Sequence, residues 1–241
     1  MGIPSYADRM AGVSGGAVRE ILKLTQQPDI ISFGGGLPSA DSFPMEDLKD
    51  ILHELTNNLS EGLLQYGETE GYVPLREEIV KMMAAKNVNI TIDDVLITSG
   101  SQQGLDLIAK AFINPGDKIV VESPTYMAAL QTFRMYGAEF IEAPVDADGV
   151  MADELDKILA SEENVKLIYM IPTFQNPSGR TVPTERRKAI MEVIQKYDVV
   201  LIEDAPYEDL KYTDAVYPCM KSMDTTTSKE IPYNEFVTML E

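Results

Sequence analysis

From residue 95 onward the chain alternates short β-branched runs with stretches of helical periodicity, and this alternation restricts the fold more than any other feature. VLITS (95–99), KIVVE (118–122), EFIEA (139–143), KLIYMI (166–171) and VVLIED (199–204) are the predicted strands, and 103–113, 125–136, 152–161 and 184–197 the predicted helices. Strands separated by helices of about ten residues form a mainly parallel sheet with helices on its faces, a three-layer α/β/α arrangement. Before it, residues 45–59 predict a helix with Leu48, Ile51, Leu52 and Leu55 on one face. Pro74 opens a second one, with Leu75, Ile79 and Met82 or Met83 inward. Val18, Ile21, Leu22 and Leu24 mark a short helical pattern in an N-terminal arm. Residues 213–241 break the alternation and offer one amphipathic piece around Phe236, Val237 and Leu240.

Composition narrows the function. Lys and Arg number 20 against 39 Asp and Glu, a net charge of −19, which repels phosphate backbones and anionic lipid; nucleic acid and membrane are therefore excluded as expected partners. No apolar run approaches the ~20 residues of a membrane span, and MGIPSYADRM has no apolar signal core. Cys219 is the single cysteine, so no internal disulfide forms and a cytoplasmic location is expected. His53 sits in the 45–59 helix without ligand-like neighbours and Cys219 reads as an ordinary thiol, so no metal site is expected.

Parallel sheets bind ligands at the carboxyl ends of their strands. After the 95–99 run come Gly100, Ser101 and Gln102 at a helix start, where a hydroxyl and backbone N–H groups suit a phosphate. Ser101 as a plain helix cap explains the same residues. Pro124 and Tyr126 follow the second strand, and the tyrosine either stacks on a flat ring or fills the rim. Asn176 lies in NPSG after the fourth strand, as an amide donor or as turn chemistry. Asp204 closes the fifth, apolar strand, a costly position for a carboxylate that lacks a cation or donor. It either holds a protonated ring nitrogen or is capped or salt-bridged, and Tyr207 is three residues on. Gly34, Gly35 and Gly36 allow close backbone approach, or form a turn. Together these are a phosphate cradle, a stacking ring, an amide, a carboxylate and a phenol, the parts of a pyridoxal phosphate (PLP) site.

With those residues in view, the chain resembles the class I/II PLP-dependent aminotransferases of fold type I, nearest the branch of 2-aminoadipate and kynurenine aminotransferases and the enzyme-like domains of MocR regulators. ISFGGGLPSADSFP, LQYGETEGYVPLREEI, ITSGSQQGLDLIAKAFINPGDKIVVESPTY, PTFQNPSGRT and LIEDAPYEDL carry the resemblance over residues 30 to about 212. It implies a phosphate cup at Gly100, Ser101 and Gln102, ring stacking by Tyr126, and hydrogen bonds to the phenolic oxygen from Asn176 and Tyr207. It further implies a ring-nitrogen partner in Asp204, and substrate-side glycines in Gly35 and Gly36. Tyr66 would reach the phosphate in a neighbouring subunit, which implies a homodimer. The implied reaction exchanges an amino group between an amino acid and a 2-oxo acid.

The resemblance also implies a lysine that forms a Schiff base with PLP, in a Ser-x-Ser-Lys segment about one strand beyond Asp204. After Lys211 only Lys221 and Lys229 remain. Ser228-Lys229 is the candidate, although no strand introduces it and no arginine follows in EIPYNEF; a surface lysine is the other reading. The expected organisation is an N-terminal arm with helices at 1–60, an incomplete PLP-binding large domain at 61–212 and a divergent or truncated tail at 213–241. The small C-terminal domain is expected to be missing. The expected function is that of an incomplete aminotransferase that turns over only if a lysine is supplied, with a non-catalytic PLP-binding or ligand-sensing module, or an inactive remnant of the same fold, as the alternative.

Overall fold

The computed structural model describes residues 5–10, 29–30, 38–58 and 64–226. The chain divides into two compact units, Ala11–Gly67 and Met1–Met10 with Glu68–Glu241. The first contains α1 (Met45–Asn57), whose apolar stripe of Leu48, Ile51, Leu52 and Leu55 is about half exposed. The second contains α2 (Val73–Ala85), α3 (Ser101–Phe112), β1 (Lys118–Glu122), α4 (Met127–Met135), β2 (Glu139–Ala143), β3 (Val145–Asp146), β4 (Gly149–Val150), α5 (Ala152–Ser161), β5 (Val165–Met170), α6 (Thr184–Ile194) and β6 (Val200–Glu203).

Strands β2, β1, β5 and β6 lie in that order in a fully parallel sheet. Alternate residues of a strand face opposite sides. Ile119, Val121, Leu167, Tyr169 and Ile202 therefore pack with Leu105 and Ala109 of α3 and Ala129 and Phe133 of α4. Val120, Ile168 and Met170 pack on the other side with Leu155 and Leu159 of α5 and Ile190 and Ile194 of α6. Both faces are thus covered, and the three-layer α/β/α fold of the sequence reading is the one observed.

Three local expectations change. Residues 95–99 form no strand: Val95 is buried, but the Ile97 N–H donates to Glu70 O at 2.8 Å and no ladder forms among the described residues. β-Branched residues favour an extended backbone, yet a strand also needs a neighbour. In α2 Ile79 is buried as expected and Met83 is half-buried, but Leu75 and Met82 are exposed and Arg76 takes the other buried position. The Arg76 guanidinium turns this face inward by donating to Glu68 Oε2 at 2.9 Å and Ile92 O at 2.8 Å. The small antiparallel pair β3–β4 was not expected; Gly149 closes it at φ +91°.

Beyond β6, the described part of the tail is packed against the sheet layer. A 3₁₀ turn, Met220–Met223, buries Met220 completely beside α6. Its first N–H groups are capped from β6, with Met220 and Lys221 donating to Glu203 at 2.9 and 3.2 Å.

Candidate active site at the carboxyl ends of the strands

From β1 the chain crosses to β2 on one side, then returns past β1 to β5 and on to β6. The direction of winding reverses between β1 and β5, and the crevice beyond their carboxyl ends is where such sheets bind ligands. Three of the loops described below leave strands at this end of the sheet, and the fourth segment is the start of α3.

Gly100 is the N-cap of α3 at φ +75°, a conformation costly for other residues, and a Cβ added there meets nothing within 4 Å. Ser101 is buried in the first turn. Gln102 turns its amide onto Thr132 of α4, so this segment serves a ligand through its backbone N–H groups rather than through that side chain. First-turn N–H groups have no intrahelical acceptor and favour an anion. Gly100, and not Ser101, therefore occupies the cap position.

Beyond β1, Glu122 is buried and accepts from the Ile171 N–H at 2.9 Å. Burial, opposed by the donors Ile171 and Gln175, pushes its carboxyl up to about 7. Gln175 Nε2 donates to Pro124 O at 2.7 Å, which ties the loop after β5 to the loop after β1. Tyr126, half-buried at the start of α4, packs against the cluster containing Tyr169, Ile171 and Ile202. The neighbouring Thr125 Oγ1 is buried without a hydrogen-bond partner.

The loop at 172–183 is closed by its own backbone, through Val182 N to Pro172 O and Gln175 N to Arg180 O, both 2.8 Å. Arg187, wholly buried in α6, secures it from below. Its guanidinium donates to Val182 O, Pro172 O and Thr173 Oγ1 at 2.8, 2.8 and 2.7 Å, and to Pro218 O in the tail at 3.0 Å. This loop presents Asn176, whose Nδ2 donates to the Tyr207 hydroxyl at 3.2 Å.

Asp204 follows β6 directly and is buried; its backbone N–H donates to Met170 O at 2.9 Å. The Tyr169 hydroxyl donates to its Oδ2 at 2.6 Å. Burial and the Asp204 charge drive the Tyr169 phenol far above its ordinary 10, so the proton stays on the tyrosine.

The geometry thus brings Asn176 to Tyr207 and adds Tyr169 to Asp204. Tyr66 is fully exposed in the other unit, while Gly35, Gly36 and Lys229 lie outside the described residues. Sequence reasoning missed Glu122, Tyr169, Gln175 and Arg187. Glu122 carried the signal used for Asp204, an acid closing an apolar strand; Tyr169 sat inside a strand and read as core. A carboxylate, an amide–phenol pair, a half-buried aromatic ring, an orphaned hydroxyl and a helix start with open space over its glycine fit a flat, cationic, phosphorylated heterocycle. No cluster of metal-binding side chains occurs among the described residues.

The family model for aminotransferase class I and II matches residues 28–230. Aromatic-amino-acid aminotransferase 1 of Thermococcus litoralis is 42% identical over 224 residues, which are 91% of this chain and 54% of that protein. The 2-aminoadipate transaminase of Thermus thermophilus is 38% identical, over 86% of this chain and 51% of that one. Among solved structures, the kynurenine aminotransferase of Pyrococcus horikoshii superimposes with a TM-score of 0.83 at 40% identity, over 91% of this chain and 55% of that chain. The Thermus thermophilus α-aminoadipate aminotransferase, complexed with N-(5′-phosphopyridoxyl)-L-leucine, gives 0.81 at 33% identity, over 90% and 53%. The chain spans about half the length of the relatives it matches.

Proposed function

The chain belongs to the class I and II aminotransferases, and on that premise we propose that its strand ends hold pyridoxal 5′-phosphate for amino-group transfer between an amino acid and a 2-oxo acid. The observation that carries the reading is the buried Asp204 carboxylate, held by Tyr169, with the Asn176–Tyr207 pair bridging the loops after the same two strands, β5 and β6. When bound, pyridoxal phosphate supplies an electron sink for negative charge developing at the α-carbon of the amino acid.

In this reading Asp204 would accept a hydrogen bond from the protonated ring nitrogen and keep that proton in place. The Asn176 amide and the Tyr207 hydroxyl, already hydrogen-bonded to each other, hold the phenolic oxygen. Tyr126 covers one ring face, and the α3 start at Gly100, Ser101 and Gln102 holds the phosphate through backbone N–H groups. Glu122 and Gln175 tie the loops after β1 and β5 together. By the family resemblance, Gly35 and Gly36 are the candidates for substrate contacts, Tyr66 for the phosphate of a second copy in a homodimer, and Lys229 for covalent attachment. The substrates for which the relatives are named make aromatic amino acids, 2-aminoadipate and kynurenine the substrates to try first. A cytoplasmic location is part of the same proposal.

Binding of pyridoxamine 5′-phosphate, which has no aldehyde to attach to surface lysines, tests the cofactor site. Equilibrium dialysis is expected to give one saturable site per chain, with affinity reduced at least about tenfold in Asp204→Ala, the scale of a charge-assisted hydrogen bond. Equal binding by the wild type and Asp204→Ala overturns the reading.

A further inference from the structure

We infer that Tyr169 is a positioning residue for Asp204, fixing the carboxylate so that it selects a cationic ring nitrogen. The inference rests on the cofactor reading above and deepens it.

Strand parity brings the two side chains together. Tyr169 and Ile202 are register partners on β5 and β6, and both belong to the cluster under α3 and α4. Asp204 stands two residues beyond Ile202, so it returns to the same face. The Asp204 N–H to Met170 O bond prolongs the pairing past the end of β6 and fixes this phase.

A carboxylate this deeply buried is costly in its charged form unless donors compensate it, and the neutral acid cannot pair with a ring N–H⁺. The Tyr169 hydroxyl supplies such a donor at 2.6 Å, the short distance of a hydrogen bond to a charged acceptor. Tyr169 is itself fully buried and held edge-on by Phe133, with ring centroids 5.8 Å apart and planes at 73°. The hydroxyl therefore has little freedom to leave Oδ2. It acts through Asp204, holding the carboxylate in one orientation.

The test compares two probes, pyridoxamine 5′-phosphate and its 1-deaza analogue, in which a C–H replaces the ring nitrogen. Dissociation constants are measured by calorimetry for the wild type, Tyr169→Phe, Asp204→Asn and the double variant. The wild type is expected to prefer the nitrogen ring. Tyr169→Phe is expected to lower affinity for that ring about tenfold and to leave the deaza probe unchanged. In the Asp204→Asn background the same change is expected to have no further effect, since the two side chains then act as one unit. A preference retained in Tyr169→Phe, or an equal loss for both probes, overturns the positioning role. A wild type that binds both rings equally overturns the cofactor reading instead, and far-UV circular dichroism confirms that each variant is folded.

Discussion

Replacing Glu122 with glutamine removes a pH dependence from folding stability. The carboxyl closes β1 almost without exposure, and burial lifts it from its ordinary 4.5 to about 7. In the unfolded chain it titrates near 4.5, so between these values the folded protein binds more protons than the unfolded one. The stability tied to this group is therefore complete below about pH 4.5 and is lost as pH rises through about 7. At about 1.36 kcal/mol per pH unit, that interval is worth roughly 3 kcal/mol.

Glutamine preserves an oxygen to accept the Ile171 N–H but cannot ionise. Urea unfolding of the wild type and Glu122→Gln, followed from about pH 4 to about 8, reads the effect as a difference between the two proteins. The stability of the wild type relative to the variant is expected to fall by roughly 3 kcal/mol across that window, with most of the fall between the two titration points. Asp146 and Asp156 do not interfere. Hydrogen bonds from Arg186 and Tyr197 respectively hold them below their ordinary 3.8, and they are common to both proteins. A difference that stays flat across the window refutes the claim that burial governs this carboxyl.

Arg187→Met removes the donor from four oxygens, Val182 O, Pro172 O, Pro218 O and Thr173 Oγ1, and is expected to lower stability by roughly 3 kcal/mol or more, read from the urea midpoint. Arg187→Lys recovers only part of this, because an ammonium cannot span the fork. Cys219 donates to Glu203 at 3.0 Å, and burial together with that carboxylate pushes its thiol up to about 12. Native protein is expected to react with a maleimide about a thousandfold more slowly than urea-unfolded protein, followed by mass spectrometry over time. Gly137→Ala places a Cβ 2.9 Å from Pro115 Cα and Cβ at a backbone φ of +79°, and is expected to cost roughly 1–3 kcal/mol in thermal or urea unfolding.

The parts of the fold legible in the sequence are those whose signal is local. Strands β1, β2, β5 and β6 stood out because buried parallel strands are short apolar runs between helices. Residues 95–99 show the limit, since their composition matches a strand but pairing depends on a neighbour far along the chain. In α2 the inward face was partly misjudged because an arginine took a core position, and only its partners Glu68 and Ile92 O explain that. Asn176, Asp204 and Tyr207 were legible as residue types at strand ends. Tyr169 was not, because a tyrosine in an apolar strand looks the same whether or not its hydroxyl meets a carboxylate.

Parity along the strands separates acids that composition cannot tell apart. Asp204 is in phase with Ile202 and so lies on the α3–α4 side, where Tyr169 supplies a phenol. Glu203, one residue earlier, is in phase with Leu201 and faces the α5–α6 side, where it caps the 3₁₀ turn of the tail and accepts from Cys219. Glu122 is in phase with Val120, and it accepts from the Ile171 N–H and, at longer range, from the Gln175 amide. Those two donors offset burial only partly, which is why this carboxyl rises to about 7. Which strand-end acid can serve a cationic ligand is therefore decided by the face its position selects and by the donor waiting there. On that criterion the α3–α4 face, with Asp204 and Tyr126 on it, is the one equipped to bind.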